Sequence, residues 1–285
     1  MQHGGTIDFS AGNSNAGTGG DISMTAGSSG AVTGGSITLQ SGSGQIASGN
    51  ILINTGYSSG SSGKASLSTG ASEGGESGSV LIATGESSAT KSGNILLMAG
   101  SGDANEGGSI LLKTANSMSS TGGAISFISG KSQIGVGGGI EMRTSSSNGN
   151  SQSGTVSFTT GKAVGGESGS ILINTKQAGQ HSGGIDIVAG DSDSQIGGSV
   201  SMRAGSSLSS KGGDVLLLSG SSSVGQSGGI ELKTQTGSSS GNIFVATGMS
   251  QSGESGNIKF MTNPSLSGHS GSISMSTSAA ALGGG

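Results

Sequence analysis

One phrase, Gly-x-Φ-x-Φ-x-[Ser/Thr/Ala] with Φ apolar, recurs 19 times, its first apolar residue running from Ile7 and Ile22 to Ile258 and Ile273. The spacing is 15 residues and drifts only between 13 and 16. Counting from that first apolar residue, position −2 is Gly in all 19 copies. Low-complexity sequence without structure has no reason to hold such a register, so the repeat constrains the fold more than any other feature.

Within each phrase apolar and variable residues alternate, which is the period of a strand. In ILINTG, Ile51, Ile53 and Thr55 share one side, and Leu52 and Asn54 the other. The Gly at −2 fits a corner that needs positive φ or a close backbone approach. At position +7 stands a small residue, usually Ser, as at Ser58, Ser72, Ser87, Ser117, Ser132 and Ser207. That pattern is read as a second, weaker strand facing inward.

One 15-residue unit cannot bury its own apolar side, whereas stacked copies can. The expected fold is therefore all-β, a parallel β-solenoid of about 19 stacked 15-residue repeats. At the strand spacing of a sheet it would be a rod of roughly 90 Å. The alternative is about 9–10 coils of 30 residues, because alternate units differ. Gly closes the phrase in every odd unit except the last, but Ala115, Ser145, Lys176, Gln235 and Asn263 replace it in five of the nine even ones.

A longer period is also present. GESG recurs at 75–78, 166–169 and 253–256, and 117–144 closely parallels 207–234, so a block of six units, about 90 residues, is duplicated. The whole chain, 1–285, is expected to be a single repeat array. It begins inside a unit with MQHGG, as a segment cut from a longer array would.

Composition narrows the function. Of 285 residues 62 are Gly and 64 Ser, with no Cys or Trp and one Tyr; 9% are charged, with a net charge of −4, and 29% are hydrophobic. So little charge and no basic patch argue against a nucleic-acid partner. No apolar run reaches membrane-spanning length. Without Cys there is neither a disulfide framework nor a Cys-based zinc site.

Catalysis finds no support. Sugar-cleaving β-helices need clustered carboxylates, and here acidic residues are scattered one per unit or fewer. The Gly/Ser runs lack the strand–loop–helix context and Lys-Ser/Thr ending of a phosphate loop. Asp186, Asp191 and Asp193 form an Asp-rich stretch, but most units carry no Asp, unlike Ca²⁺-binding repeats. No enzyme activity, cofactor or metal is expected.

Two sets of residues stand out. At position −4, Glu76 is followed one unit later by Lys91, Glu167 by His181 and Glu254 by His269. Stacked coils would turn these into charge pairs. His3 occupies the same position. Second, Leu96, Met98, Leu111, Ile128, Leu216, Leu218 and Phe244 lie at outward phases of their phrases, where contiguous apolar residues mark an interface. The expected partner is another copy of the chain, in an oligomer or filament.

GGSITLQSG, SGNILINTG and GGDVLLLSG resemble the Gly/Ser-rich solenoid repeats of secreted algal, diatom-like surface proteins. More loosely they are similar to the Gly-x-Ile-x-Leu-x-Ala-Gly repeats of filamentous-haemagglutinin-type adhesins. The resemblance implies an extracellular or cell-surface location and a structural or adhesive role, and brings no site residues with it. The chain has 13 Asn and no usable N-x-Ser/Thr sequon, since Pro264 disqualifies the one at Asn263. That suits a secreted protein whose packing bulky glycans would spoil. A self-associating rod in a fibre, wall or sheath is the first expectation. A spacer stalk or adhesin and an ice-binding solenoid are the alternatives.

Overall fold

The structure, a computed structural model, describes residues 4–88, 90–102, 106–118, 121–147 and 151–277. By internal proximity the chain divides into two units, Met1–Glu141 and Met142–Gly285. Among the described residues there is neither helix nor strand. The chain is an irregular coil in which a local loop recurs once per repeat.

The loop is built by three residues of the repeat. The phrase ends at position +4, which is always Ala, Ser or Thr. The chain then turns back, so that the Gly at −2 of the next phrase comes to stand against that +4 residue. A Cβ built on Gly20 would lie 3.2 Å from Ala11 Cβ, one on Gly108 3.1 Å from Ala99 Cβ, and one on Gly93 3.3 Å from Thr84 Cγ2. All 18 glycines that follow a phrase meet a neck of this kind, while Gly5, which follows none, has open space around it. Close approach therefore explains the Gly. Positive φ does not: among the described residues the one glycine with positive φ is Gly165, at the edge of the extended region at 159°, and it is not a −2 glycine.

Serine at +7 shapes the tip of the loop. Ser14 Oγ accepts a hydrogen bond from the Gly17 N–H at 2.8 Å, Ser132 Oγ from Gly135 at 2.8 Å, and Ser222 Oγ from Gly225 at 2.9 Å. The same bond, from a backbone N–H three residues on, recurs at Ser72, Ser192, Ser207, Ser250 and Ser265. These are Ser turns, in which a side chain offers the backbone a local alternative to a sheet ladder. The second, inward-facing strand expected at these positions is thus a turn.

Necks come in two forms. In a closed neck the N–H of the −2 Gly donates to the carbonyl of residue +5 in the preceding unit, as from Gly20 to Gly12 at 2.9 Å and from Gly198 to Gly190 at 2.8 Å. Among the described residues nine necks are closed in this way, at Gly20, Gly35, Gly49, Gly108, Gly123, Gly138, Gly198, Gly213 and Gly228. The rest are open and lack this bond.

The two forms alternate in tracts of three units. Closed tracts are 7–49, 95–138 and 185–228; open tracts are 51–93, 140–183 and 230–271. Six units, three closed and three open, make the 90-residue block read from the sequence. The unit Met1–Glu141 holds closed, open and closed tracts and the first two residues of the open tract 140–183, and Met142–Gly285 holds the rest of that tract, a closed one and an open one.

Position +4 sorts the two forms. Eight of the nine closed necks follow Ala11, Ala26, Ser41, Ala99, Ser129, Ala189, Ala204 and Ser219, the ninth follows Thr114, and the open ones follow Thr55, Thr69, Thr84, Thr144, Thr160, Thr175, Thr234, Thr247 and Thr262. At open necks the Thr side chain, mostly its Cγ2, lies 3.3–3.8 Å from where the Gly Cβ would be, with no backbone atom within 4 Å. At the Ala and Ser necks the backbone N of residue +5 lies 3.2–3.7 Å from that point. The Thr methyl holds the two backbones apart by its own width.

The β-solenoid is therefore overturned, in both its 15-residue and its 30-residue versions. Among the described residues no ladder joins one phrase to the next, and the backbone bonds that form across a unit are the necks. No side chain is buried among the described residues. The accessible surface is 29100 Å², against about 11,000 Å² for a compact monomer of this mass. The physical reason lies in the filler: Gly is costly to order, and the +7 serines satisfy backbone N–H groups locally, leaving little to drive coils into register.

Alternation within the phrase survives as a gradient of exposure. Ile95 and Leu97 are 52% and 63% exposed, while Leu96 and Met98 between and after them are 75% and 78%. The ion pair from Lys233 Nζ to Glu231 Oε1, 2.9 Å, joins residues two apart, on one side of an extended segment.

Candidate functional site

The in-phase residues of each phrase are partly screened by their neighbours. Ile7, with no phrase before it, is 83% exposed, whereas Ile110 in the middle of its tract is 54%. Within a phrase the out-of-phase residues are mostly the more exposed, as Ile128 at 88% beside Phe127 at 56%.

Six of the seven sequence-identified assembly residues fall in closed tracts. Leu96, Met98, Leu111 and Ile128 lie in 95–138, and Leu216 and Leu218 in 185–228. Phe244 lies in the open tract 230–271. All seven are exposed. The structure adds Val188, an out-of-phase residue in 185–228, also exposed. The third closed tract, 7–49, is different. Its out-of-phase residues are Asp8, Ser10, Ser23, Thr25, Thr38 and Gln40, all polar.

The structure also brings together residues two units apart. A cavity of about 1080 Å³ is lined by Thr84, Gly93, Asn94, Ile95, Leu96, Ile128 and Gly130. It opens at the last open neck before tract 95–138, Thr84 against Gly93, and reaches Ile128 of that tract. Leu96 and Ile128 thus border one concavity. Sequence phase marked both residues without showing that they meet.

The expected charge pairs do not form. Glu76, Lys91, Glu167, His181, Glu254 and His269 are exposed, and no ion pair joins Glu76 to Lys91, Glu167 to His181 or Glu254 to His269. Without stacked coils, nothing holds position −4 of one unit over that of the next. His3 lies outside the described residues. Lys211 Nζ instead reaches Asp214 Oδ2 at 2.8 Å, within a single loop. Asp186, Asp191 and Asp193 are exposed, and no group of three metal-ligating side chains converges among the described residues. None of the helix-length apolar segments needed to cross a membrane as a helix is present among them.

Sequence reasoning missed the tracts, although their signal was present. Read down the chain, position +4 runs Ala-Ala-Ser, Thr-Thr-Thr, Ala-Thr-Ser, Thr-Thr-Thr, Ala-Ala-Ser, Thr-Thr-Thr. Grouping Ala, Ser and Thr together as small residues conceals it. No family model matches the chain, and neither a curated protein nor a solved structure matches it.

Proposed function

We propose that this is a non-enzymatic structural protein of the extracellular space or cell surface, whose copies associate through their apolar phrases into fibre, wall or sheath material. One observation carries the reading: 19 evenly spaced apolar phrases, with no side chain buried among the described residues. Burying apolar surface is the main favourable term in association, about 25 cal/mol per Å². A chain that leaves its Ile, Leu, Val and Phe in water has that free energy still to gain from its copies. A net charge of only −4 over 285 residues offers little long-range repulsion. The missing sequons and the likeness to secreted surface repeats support the location.

Sedimentation velocity over a range of micromolar concentrations, with electron microscopy of the same samples, tests this. Association that grows with concentration into filaments or sheets is expected. A chain that stays monomeric throughout defeats the structural reading and leaves the spacer stalk in its place.

A further inference from the structure

The 90-residue duplication places one apolar patch in each of two closed tracts. In 95–138 the patch consists of Leu96, Met98, Leu111 and Ile128. In 185–228 it consists of Val188, Leu216 and Leu218. Each falls in a different unit of the chain, Met1–Glu141 and Met142–Gly285. The closed necks at Gly108, Gly123 and Gly138, and at Gly198, Gly213 and Gly228, fix the ends of three successive phrases in each tract by backbone hydrogen bonds. The open tract between them, 140–183, has no such bonds among its described residues.

We propose that self-association runs through these two patches, each docking against a patch of a second copy of this chain, with the open tract 140–183 as the spacer between them. The inference rests on the self-association proposed above and adds where it happens and how many contacts each chain makes.

Three observations favour a second copy as the occupant. A stable protein interface buries about 1,200–2,000 Å² in all. The 29100 Å² displayed exceeds the compact expectation by many times that, so surface for two such contacts is at hand. Any copy carries the same patches at the same spacing, because the block is duplicated within the chain. Finally, the first patch borders the cavity of about 1080 Å³ at Ile95, Leu96 and Ile128, a concavity able to receive apolar side chains of a partner.

Two patches per chain have a consequence that one would not. A chain with a single self-complementary patch stops at a dimer, whereas two patches let copies link without limit. The third closed tract, 7–49, shares the necks and lacks apolar out-of-phase residues, so it is expected to contribute nothing.

The test uses three full-length variants. One carries Leu96→Ser, Met98→Ser, Leu111→Ser and Ile128→Ser; a second carries Val188→Ser, Leu216→Ser and Leu218→Ser. The control carries Leu52→Ser, Leu81→Ser, Leu172→Ser and Met261→Ser, which remove as many out-of-phase apolar residues from open tracts. All are exposed sites, and slow amide exchange at Gly108 and Gly198 verifies that the closed necks persist. Under sedimentation velocity, either patch variant alone should form nothing larger than a dimer. Both together should raise the concentration needed for half-assembly by about tenfold or more. The control should assemble like the unaltered chain. Assembly of the doubly altered chain at unaltered concentration would overturn the patches while leaving self-association standing. Equal loss in the control would do the same, by showing that apolar content matters and its location does not. A monomeric unaltered chain would end both proposals.

Discussion

The loops Thr84–Gly93 and Ala99–Gly108 follow one another in the chain, are of equal length and have Gly at +5, Gly85 and Gly100. Only the second is closed, with Gly108 N–H donating to Gly100 O at 2.9 Å. Neither loop length nor the +5 Gly distinguishes them. The +4 residue does: the Thr84 methyl occupies the space in which, at Ala99, the two backbones meet. The lesson is that in a chain without a core, the width of one methyl at a neck is enough to select the local structure. In a packed protein such a preference would be one small term among many.

The largest effect should come from adding a Cβ to the Gly side of the neck. On Gly198 it would lie 3.1 Å from Ala189 Cβ and 3.2 Å from both the backbone N and O of Gly190, atoms that cannot rotate away. On Gly169 it would meet only the Thr160 side chain, at 3.8 Å, an ordinary contact. Gly198→Ala is therefore expected to abolish its neck and leave the amide exchanging at the rate of an unprotected coil. Gly169→Ala should leave its loop as it is. Hydrogen exchange by NMR reads both, and equal effects at the two sites would show that close approach is not what the −2 Gly serves.

Much of this architecture was legible beforehand, and the rest failed for physical reasons. The repeat length and the 90-residue block are written in the sequence itself, whereas for the −2 Gly the sequence offered positive φ and close approach as alternatives. The sheet is not written there. Alternation at Ile51, Leu52 and Ile53 tells which residues share a side, and a strand exists only if another backbone lies alongside. Serine at +7 misled for a different reason. A small side chain facing inward and a hydroxyl bonded to its own loop use the same residue, and only the bond from Gly135 N–H to Ser132 Oγ separates them. Of the candidate site, the phase of Leu96 and Ile128 was readable, and their meeting at one cavity was not.

The next effect exchanges the two kinds of neck. Thr160→Ala should bring Gly161 and Gly169 together and create the bond present at Ala189, Gly190 and Gly198. Ala189→Thr should open the latter. A backbone hydrogen bond is worth about 1 kcal/mol net, about fivefold in the opening equilibrium. Amide exchange at Gly169 should slow by about that factor in the first variant, and that at Gly198 should quicken by as much in the second. If neither amide responds, the tract rather than its +4 residue sets the form.

Thr114 separates those two causes most finely, with the smallest effect. It is the one Thr that precedes a closed neck, between Ala99 and Ser129 in tract 95–138. Its Oγ1 donates to Gly123 O at 3.1 Å, and its Cβ lies 2.9 Å from where a Gly123 Cβ would stand. The hydroxyl turned onto the neck thus ties it shut. The cost shows in the Gly123 to Ala115 bond, which at 3.2 Å is the longest of the nine. Thr114→Ala should shorten that bond toward the others, and Gly123 exchange should slow slightly. Thr114→Val keeps the branch and removes the donor, so it should open the neck and raise Gly123 exchange by less than the fivefold expected at a strong neck. Should Val leave the neck closed, the neighbouring closed loops, rather than the hydroxyl, would be holding it, and closure would be a cooperative property of the tract.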